Sequence, residues 1–136
     1  MAPIAQADRA CGPLLSQITI AKDEFADWEP SLGASAFPDA DECKVVQTTS
    51  GPVLWCTWSF AYRDDAASTR FESLRSEVAS CMGPDTARRT DPAVNHPDSY
   101  NLHEFDTDDV VVAVSIKDKG ALQKTLVFFR IHPKPD

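Results

Sequence analysis

The sequence predicts an α+β fold in which two helices pack on one face of a largely antiparallel, five-stranded sheet. Two segments repeat apolar residues at steps of three and four, which is the spacing of amphipathic helices. Five shorter segments are rich in β-branched and aromatic residues and are separated by turn residues, as strands are. Their order along the chain is helix, two strands, helix and three strands. Four cysteines are placed so that two disulfides can join these elements.

The first helix is predicted from about Pro13 to Glu29. Proline suits the first helical position, where an N–H group has no partner inside the helix, and Pro30 is expected to end the helix. A loop rich in small residues follows at 31–38. The predicted buried side of this helix consists of Leu14, Leu15, Ile18, Ala21, Phe25 and Trp28.

The second helix is predicted from about Asp65 to Met82. Asp64 is a favourable N-cap because its carboxylate can accept hydrogen bonds from free backbone N–H groups of the first turn. Gly83 suits the position just past the last turn. The predicted buried side of this helix consists of Ala67, Phe71, Leu74, Val78 and Cys81.

A β-hairpin is predicted between the two helices, with strands at Glu42 to Gln47 and Pro52 to Tyr62. The four residues between them include Gly51, which can adopt the left-handed backbone that closes such a loop. Alternate residues of a strand point to opposite faces of the sheet. On the second strand the predicted core face consists of Leu54, Cys56, Trp58, Phe60 and Tyr62, which leaves Val53 and Trp55 on the other face.

Three more strands are predicted towards the carboxyl terminus, at Tyr100 to Phe105, Val110 to Lys117 and Leu122 to His132. Short polar turns separate them, so we expect an antiparallel meander. The preceding segment, from Asp85 to Ser99, is polar and has no periodicity. It is predicted to be a long, mobile loop.

The helix-strand-strand-helix-strand part of this order matches a ferredoxin-like split βαβ unit whose opening strand is missing. A strand from the end of the chain can take the vacant place in the sheet. The arrangement would then be a circular permutation of the ferredoxin-like fold.

The cysteines of the hairpin are predicted to pair with each other. With a four-residue loop, Cys43 lies opposite Cys56, at a distance that suits a disulfide. A two-residue turn at 50–51 would place Trp58 opposite Cys43 instead, so this pairing depends on the type of loop.

The other two cysteines are predicted to join the helices. Cys11 precedes the first helix and Cys81 lies in the last turn of the second, and neighbouring antiparallel helices bring those ends together. Free thiols in a cytosolic protein are the alternative. No Cys-x-x-Cys motif indicates a metal or redox site. Because disulfides persist in oxidising compartments, we expect a periplasmic or secreted protein.

The amino-terminal residues also indicate export. The segment 5–7, Ala-Gln-Ala, has the small-x-small form of a signal-peptidase site. We therefore expect residues 1–10 to be a flexible remnant of an export signal and 11–136 to form a single α+β domain. A native, unstructured amino terminus is the alternative. The sequence contains no apolar stretch that is long enough to span a membrane.

The charge of the chain narrows the classes of partner. Its 13 Lys and Arg residues and 21 Asp and Glu residues give a net charge of −8. Nucleic acids and anionic membranes would be repelled by such a protein. A basic protein partner would be attracted. The acidity can equally serve only to keep an exported domain soluble.

No catalytic residue, cofactor site or metal ligand is predicted. The three histidines, His96, His103 and His132, follow no pattern that pairs them with a serine or cysteine nucleophile. The acidic clusters at 39–42 and 106–109 lack the glycine and the distal glutamate of a calcium-binding EF-hand loop. Both clusters are expected to be solvated turn residues.

One apolar surface is a candidate for binding a partner. If helices cover only one face of the sheet, apolar side chains of the other face remain exposed, and such a patch usually marks a partner or dimer surface. Cover by loops or by the amino-terminal segment is the alternative. The predicted surface consists of Val53, Trp55, Val111, Val127, Phe129 and Ile131.

These observations favour an exported, non-catalytic binding protein, such as an inhibitor or immunity-type protein that occupies a basic partner. One alternative is a small enzyme or ligand carrier whose site lies near the 85–103 segment, where His96, Tyr100 and His103 can meet. A structural homodimer joined through the uncovered sheet face is another alternative.

Overall fold

The computed structural model describes residues 2–26, 28–83, 87–95 and 98–134. Its helices are α1 (Ala2–Lys22), α2 (Pro30–Ala36) and α3 (Asp65–Met82). Its strands are β1 (Glu42–Thr48), β2 (Gly51–Ala61), β3 (Ala87–Asn95), β4 (Asp98–Asp106), β5 (Val110–Lys119) and β6 (Lys124–Pro133). A short 3₁₀ turn, Gly120–Leu122, leads from β5 to β6. The six strands form one antiparallel sheet in the order β1-β2-β6-β5-β4-β3.

The predicted α+β class, with helices on one face of an antiparallel sheet, is confirmed. All five predicted strands are present, and β3 adds a sixth strand at one edge. β6 lies between β2 and β5 and is antiparallel to both, so β2 and β5 run parallel with β6 between them. This is the place that a late strand fills in the permuted ferredoxin-like arrangement.

β3 occupies most of the segment that was predicted to be a mobile loop. That prediction is wrong for residues 87–95, which pair with β4 along their whole length, and for residues 98–99, which begin β4. The strand was missed because its polar residues show no alternation and because Pro92 lies within it. An edge strand pairs on one side only and therefore tolerates a residue that lacks an N–H group. Residues 84–86 and 96–97 of the same segment lie outside the described residues.

The first helix begins earlier than predicted. α1 includes Pro13 in its interior, where the proline cannot donate the usual backbone hydrogen bond. The helix reaches Ala2, so residues 2–10 continue it towards the amino terminus. The origin of 1–10 as a remnant of an export signal stays a prediction.

The first helix also ends earlier than predicted. Glu24 and Phe25 adopt positive φ values of 57° and 60°, which turn the chain out of the helix. Pro30 then begins α2 rather than ending α1. Its fixed φ and missing N–H group suit the first helical position.

The hairpin has the register that was predicted for its cysteines. Cys43 lies opposite Cys56, and the two form a disulfide with Cα atoms 4.1 Å apart. The ladder continues one pair further, to Thr48 opposite Gly51. The connection is therefore a two-residue turn at 49–50 rather than a four-residue loop.

The second predicted helix corresponds to α3, with the predicted bounds. The carboxylate of Asp64 accepts a hydrogen bond from the backbone N–H of Ala66 at 2.9 Å, so Asp64 is the N-cap. In the last turn, Cys81 forms a disulfide with Cys11, and the Cα atoms lie 5.3 Å apart. This bond joins α1 to α3 as predicted.

The hydrophobic core lies between the helices and the sheet face that they cover. Leu14, Ile18 and Ala21 of α1 are buried as predicted, but Leu15 is 45% exposed, so its place on the buried side was wrong. Phe25 and Trp28 join the core from beyond the end of α1, and α3 and alternate residues of the central strands complete it. The fully buried side chains of the sheet in this core include Leu54, Cys56, Val110, Val112, Val114, Val127, Phe129 and Ile131.

One buried glutamine connects the elements around α2. Gln17 is only 1% exposed. Its Nε2 donates to the carbonyl oxygen of Leu32 at 2.9 Å, and its Oε1 accepts from the indole N–H of Trp28 at 2.9 Å. Both polar ends of a buried amide are thus satisfied, which a buried polar group requires.

A glycine allows α2 to approach β1 closely. A Cβ atom added at Gly33 would lie 2.7 Å from the Cβ of Cys43 and 3.2 Å from the indole ring of Trp28. Cys43 cannot move away freely because it is bonded to Cys56. The position therefore requires a residue without a side chain.

Replacing Gly33 by alanine is expected to lower the free energy of unfolding by about 1–3 kcal/mol, because the added methyl overpacks a fixed disulfide. Gly12→Ala is the matched control. Gly12 also lies in a helix, nothing lies within 4 Å of its added Cβ, and alanine favours helices by about 0.5–1 kcal/mol. Urea denaturation measures both changes. Equal midpoints for Gly33→Ala and the wild type would contradict the expectation.

Replacing Cys11 and Cys81 together by alanine is expected to lower the free energy of unfolding by about 4 kcal/mol. Their bond spans a sequence separation of 70 residues, and its loss releases the unfolded chain. The Cys43–Cys56 bond spans only 13 residues, for which the same model gives about 3 kcal/mol. Urea denaturation measures the loss. Mass spectrometry after alkylation without reductant checks the bonds themselves, and four alkylated thiols would refute both.

Candidate binding site on the open face of the sheet

The face of the sheet opposite to the core, called the open face below, consists of the residues that alternate with core residues along each strand. The described helices pack on the other face. Three predicted surface residues, Val53, Trp55 and Val111, lie on the open face, since their chain neighbours Leu54 and Val112 are core residues. Open-face residues of the central strands are Val53 and Trp55 of β2, Leu126, Phe128, Arg130 and His132 of β6, Val111, Ala113, Ser115 and Lys117 of β5, and Tyr100, Leu102, Glu104 and Asp106 of β4.

The other three predicted surface residues belong to the core instead. Val127, Phe129 and Ile131 are fully buried under the helices, so their placement on the uncovered face was wrong. In the observed register Phe129 lies opposite Cys56, which points to the helices. Both sets of alternate residues in β6 contain large apolar side chains, so hydrophobicity alone did not separate them. The charge of Arg130 would have separated them, because an unpaired guanidinium is costly to bury and Arg130 shares its face with Phe128.

A cleft of about 350 Å³ lies on the open face where β2, β6, β5 and β4 run side by side. Its residues come from four strands, which makes its floor part of the rigid sheet rather than of a loop. The cleft is lined by Trp55, Tyr100, Ser115, Lys117, Lys119, Phe128 and Arg130.

The aromatic side chains of the cleft contact one another and its cations. Trp55 and Phe128 meet edge to face, with ring centroids 5.6 Å apart and an interplanar angle of 83°. The guanidinium carbon of Arg130 lies 5.6 Å from the centre of the Trp55 ring, and the ammonium of Lys117 lies 5.9 Å from that of Tyr100. These are cation–π distances, so the rings and the cations hold each other in place.

The cleft is cationic although the protein is acidic. Lys117, Lys119 and Arg130 line it, whereas neither an acidic residue nor a histidine is among its described lining residues. Many basic side chains elsewhere are neutralised by ion pairs: Lys22–Asp109, Lys44–Glu42, Arg63–Asp118, Arg70–Asp39, Arg75–Glu72 and Lys134–Asp106. By contrast, neither Lys119 nor Arg130 forms an ion pair with any described residue.

Ser115 lies in the floor of the cleft and is only 3% exposed. Its hydroxyl makes no hydrogen bond to any other group in the described ranges. The hydroxyl is not one of the described buried side-chain atoms that lack a partner, so it is open to solvent from the cleft. Ser115 is therefore a polar group that is available to a bound molecule.

A second cavity, of about 210 Å³, lies at one end of the sheet near Lys22, Gly51, Asp109 and Lys134. Its basic side chains are paired: Lys22 pairs with Asp109 at 3.5 Å, and Lys134 pairs with Asp106 at 3.8 Å. Glu24 and Asp108 also line the cavity and form no ion pair with a described residue, so its unpaired charges are acidic, whereas those of the cleft are basic.

Two of the three residues proposed for an enzymatic or carrier site, Tyr100 and His103, are not brought together. Tyr100 and His103 lie on opposite faces of β4, because Tyr100 belongs to the open face and His103 packs against Phe71 of α3 with ring centroids 5.7 Å apart. His96 lies outside the described residues. Only Tyr100 lines the cleft.

The acidic cluster at 39–42 is used within the protein. Asp39 pairs with Arg70 of α3, and Asp41 accepts a hydrogen bond from the backbone N–H of Ser59 at 2.6 Å. Among the residues with a described position, no group of three or more His, Cys, Asp or Glu side chains is placed to hold a metal ion.

Comparisons of this chain with protein-family models, with curated proteins and with solved structures found no match. None of the helices in the described ranges is long and apolar enough to cross a membrane. The role of the cleft has therefore to be inferred from its geometry and charge.

The stability of the protein is expected to fall on acidification through His103. Burial, and then the nearby Arg75 guanidinium, hold the pKa of His103 below its usual 6.5, against the opposing effect of Glu72. The folded state thus binds fewer protons at this site than the unfolded chain. Its contribution to stability is present above pH 6.5 and is lost as the pH falls through the lowered value.

Urea denaturation at neutral and at mildly acidic pH measures this loss, and His103→Gln is expected to reduce it because glutamine does not titrate. An NMR titration of the His103 ring tests the cause directly. A midpoint at or above 6.5 would contradict the prediction.

Proposed function

We propose that this protein is an exported, non-catalytic binding protein that holds a partner protein against its open face. The observation that carries the proposal is the cleft, which Trp55, Tyr100 and Arg130 line on a rigid sheet, with Arg130 over the Trp55 ring. These three residue types dominate the binding energy of protein interfaces. The two disulfides support the export part of the proposal, since such bonds persist in oxidising compartments.

The residues of the cleft favour binding over catalysis. A serine nucleophile needs a base within hydrogen-bond reach, and the described lining of the cleft places no histidine or carboxylate beside Ser115. Its cations and rings are suited to recognition instead. An inhibitor or immunity-type protein acts in this way, by occupying a partner.

The charge of the cleft changes the kind of partner that we propose. The net charge of −8 favours a basic partner at long range. At the contact itself, however, Lys119 and Arg130 present positive charge without an internal ion pair. The group that enters the cleft should therefore be anionic, while basic groups of the same partner can face the acidic remainder of the surface.

Trp55→Ala is expected to weaken partner binding by about 2 kcal/mol, roughly 30-fold, because an interface aromatic is lost. Arg130→Gln should weaken it as well. Arg75→Gln is the matched control: it removes the same charge from the helix side, where Arg75 pairs with Glu72. Affinity capture from the exported fraction of the source cells identifies the partner, and calorimetry with the purified partner measures each dissociation constant.

Equal affinities of the wild type and both cleft variants would refute the open face as the binding surface. Light scattering separates the proposal from a homodimer. If the wild type is a dimer and Trp55→Ala or Arg130→Gln is a monomer, the molecule bound to the open face is a second copy of this chain and not a partner protein.

A further inference from the structure

We infer that the cleft receives the carboxyl-terminal residue of the partner, with its free α-carboxylate and an aromatic or large apolar side chain. This inference rests on the proposed function, because it names the group by which the partner is held. It follows from the charges, the polar floor, the rings and the size of the cleft.

The cations supply the site for the carboxylate. Lys119 and Arg130 approach the cleft from neighbouring strands, and neither has an ion pair with a described residue. Lys124 lies directly opposite Lys119 in the β5–β6 register and adds positive charge at the same end. Arg130 lies at the other end of the cleft, because it is paired with Ala113, six residues along the ladder from the Lys119–Lys124 pair. Arg130, beside Trp55, is therefore the cation that contacts the carboxylate, while Lys119 adds positive potential from the far end.

The floor supplies a hydrogen bond. Ser115 is 3% exposed, lines the cleft and has no hydrogen-bond partner in the described part of the chain. Its hydroxyl can donate to a carboxylate oxygen. A hydroxyl in the floor of the cleft without an internal partner favours a bound group with oxygen acceptors over a plain apolar group.

The rings supply the site for the apolar part. Trp55 and Phe128 form one wall, with an edge-to-face contact at 5.6 Å. Tyr100 lines the opposite side from β4, and Ser115 of β5 lies between Tyr100 and Phe128 of β6. An aromatic or large aliphatic side chain placed between these rings removes apolar surface from water on both sides.

The size of the cleft decides where both groups come from. About 350 Å³ is near the lower limit of small-ligand sites and leaves room for little more than one residue. Aspartate or glutamate inside a chain carries a carboxylate but no apolar side chain. The last residue of a chain carries both on one Cα atom, and capture of a terminal carboxylate is a known mode of peptide recognition.

The test compares short peptides that end in phenylalanine, with a free carboxylate or as the carboxyl amide, by calorimetry and by NMR shifts of Ser115 and Trp55. We expect the acid to bind at least about tenfold more tightly than the amide, a difference set by one charged contact. Arg130→Gln should remove that difference. Arg75→Gln should leave it unchanged.

Two more variants separate the parts of the site. Ser115→Ala is expected to lower the affinity for the acid peptide by about threefold to tenfold, the range for one hydrogen bond. Trp55→Leu keeps an apolar side chain in the sheet. It should weaken the binding of the acid peptide and of the amide peptide by the same factor. Urea midpoints of all variants confirm that each is folded.

Equal binding of acid and amide, or no binding of either, would overturn the inference. The proposed function would survive that result if the captured partner still depended on Trp55. A third arm uses N-acetylphenylalanine: if it binds as tightly as the peptide and no protein partner competes with it, the occupant is a small aryl carboxylate. That outcome would overturn both the proposal that a partner protein binds to the open face and the inference that its carboxyl-terminal residue enters the cleft.

Discussion

The pairing of β6 on both sides determines the two faces of this protein. β6 lies between β2 and β5, so the residues of β6 that face the helices are paired with residues of β2 and β5 that also face the helices. Phe129 meets Cys56 under the helices, while Arg130 meets Trp55 on the open face. A slip of one residue would exchange these sets, bringing a guanidinium into the core and exposing three fully buried side chains. The cost of burying an unpaired charge holds the register, and the register in turn builds the cleft.

The disulfide of the hairpin lies on the core side of the sheet and fixes the orientation of Trp55 on the open face. Because Cys56 is bonded to Cys43 among the core residues, the preceding residue, Trp55, has to point away from the helices. The close approach of Gly33 to Cys43 adds α2 to the same support. The cleft is therefore positioned by covalent and packed contacts on the opposite face, which favours a binding site that is formed before its ligand arrives.

The sequence predicted most of the fold because strong local patterns determine most of it. Periodicity and caps located α3, and the counting of residues across the hairpin paired its cysteines. The edge strand β3 was missed because an edge strand needs neither alternation nor an N–H group at Pro92. The cleft was missed because it is assembled from four strands, and the sequence does not state their order. The charge of Arg130 is the local signal that would have placed Phe128, rather than Phe129, on the same face as Trp55.

A cationic cleft in a protein of net charge −8 discriminates between kinds of anion. At physiological ionic strength charges are screened beyond about 8 Å, so the cleft attracts an anion only once it is close. A polyanion or a broad acidic surface meets the repulsion of the rest of the protein along its whole length. A single carboxylate on an apolar group meets little of it and reaches Arg130 with most of its attraction intact. Charge distribution, as well as cleft size, thus selects an isolated terminal carboxylate over an acidic patch.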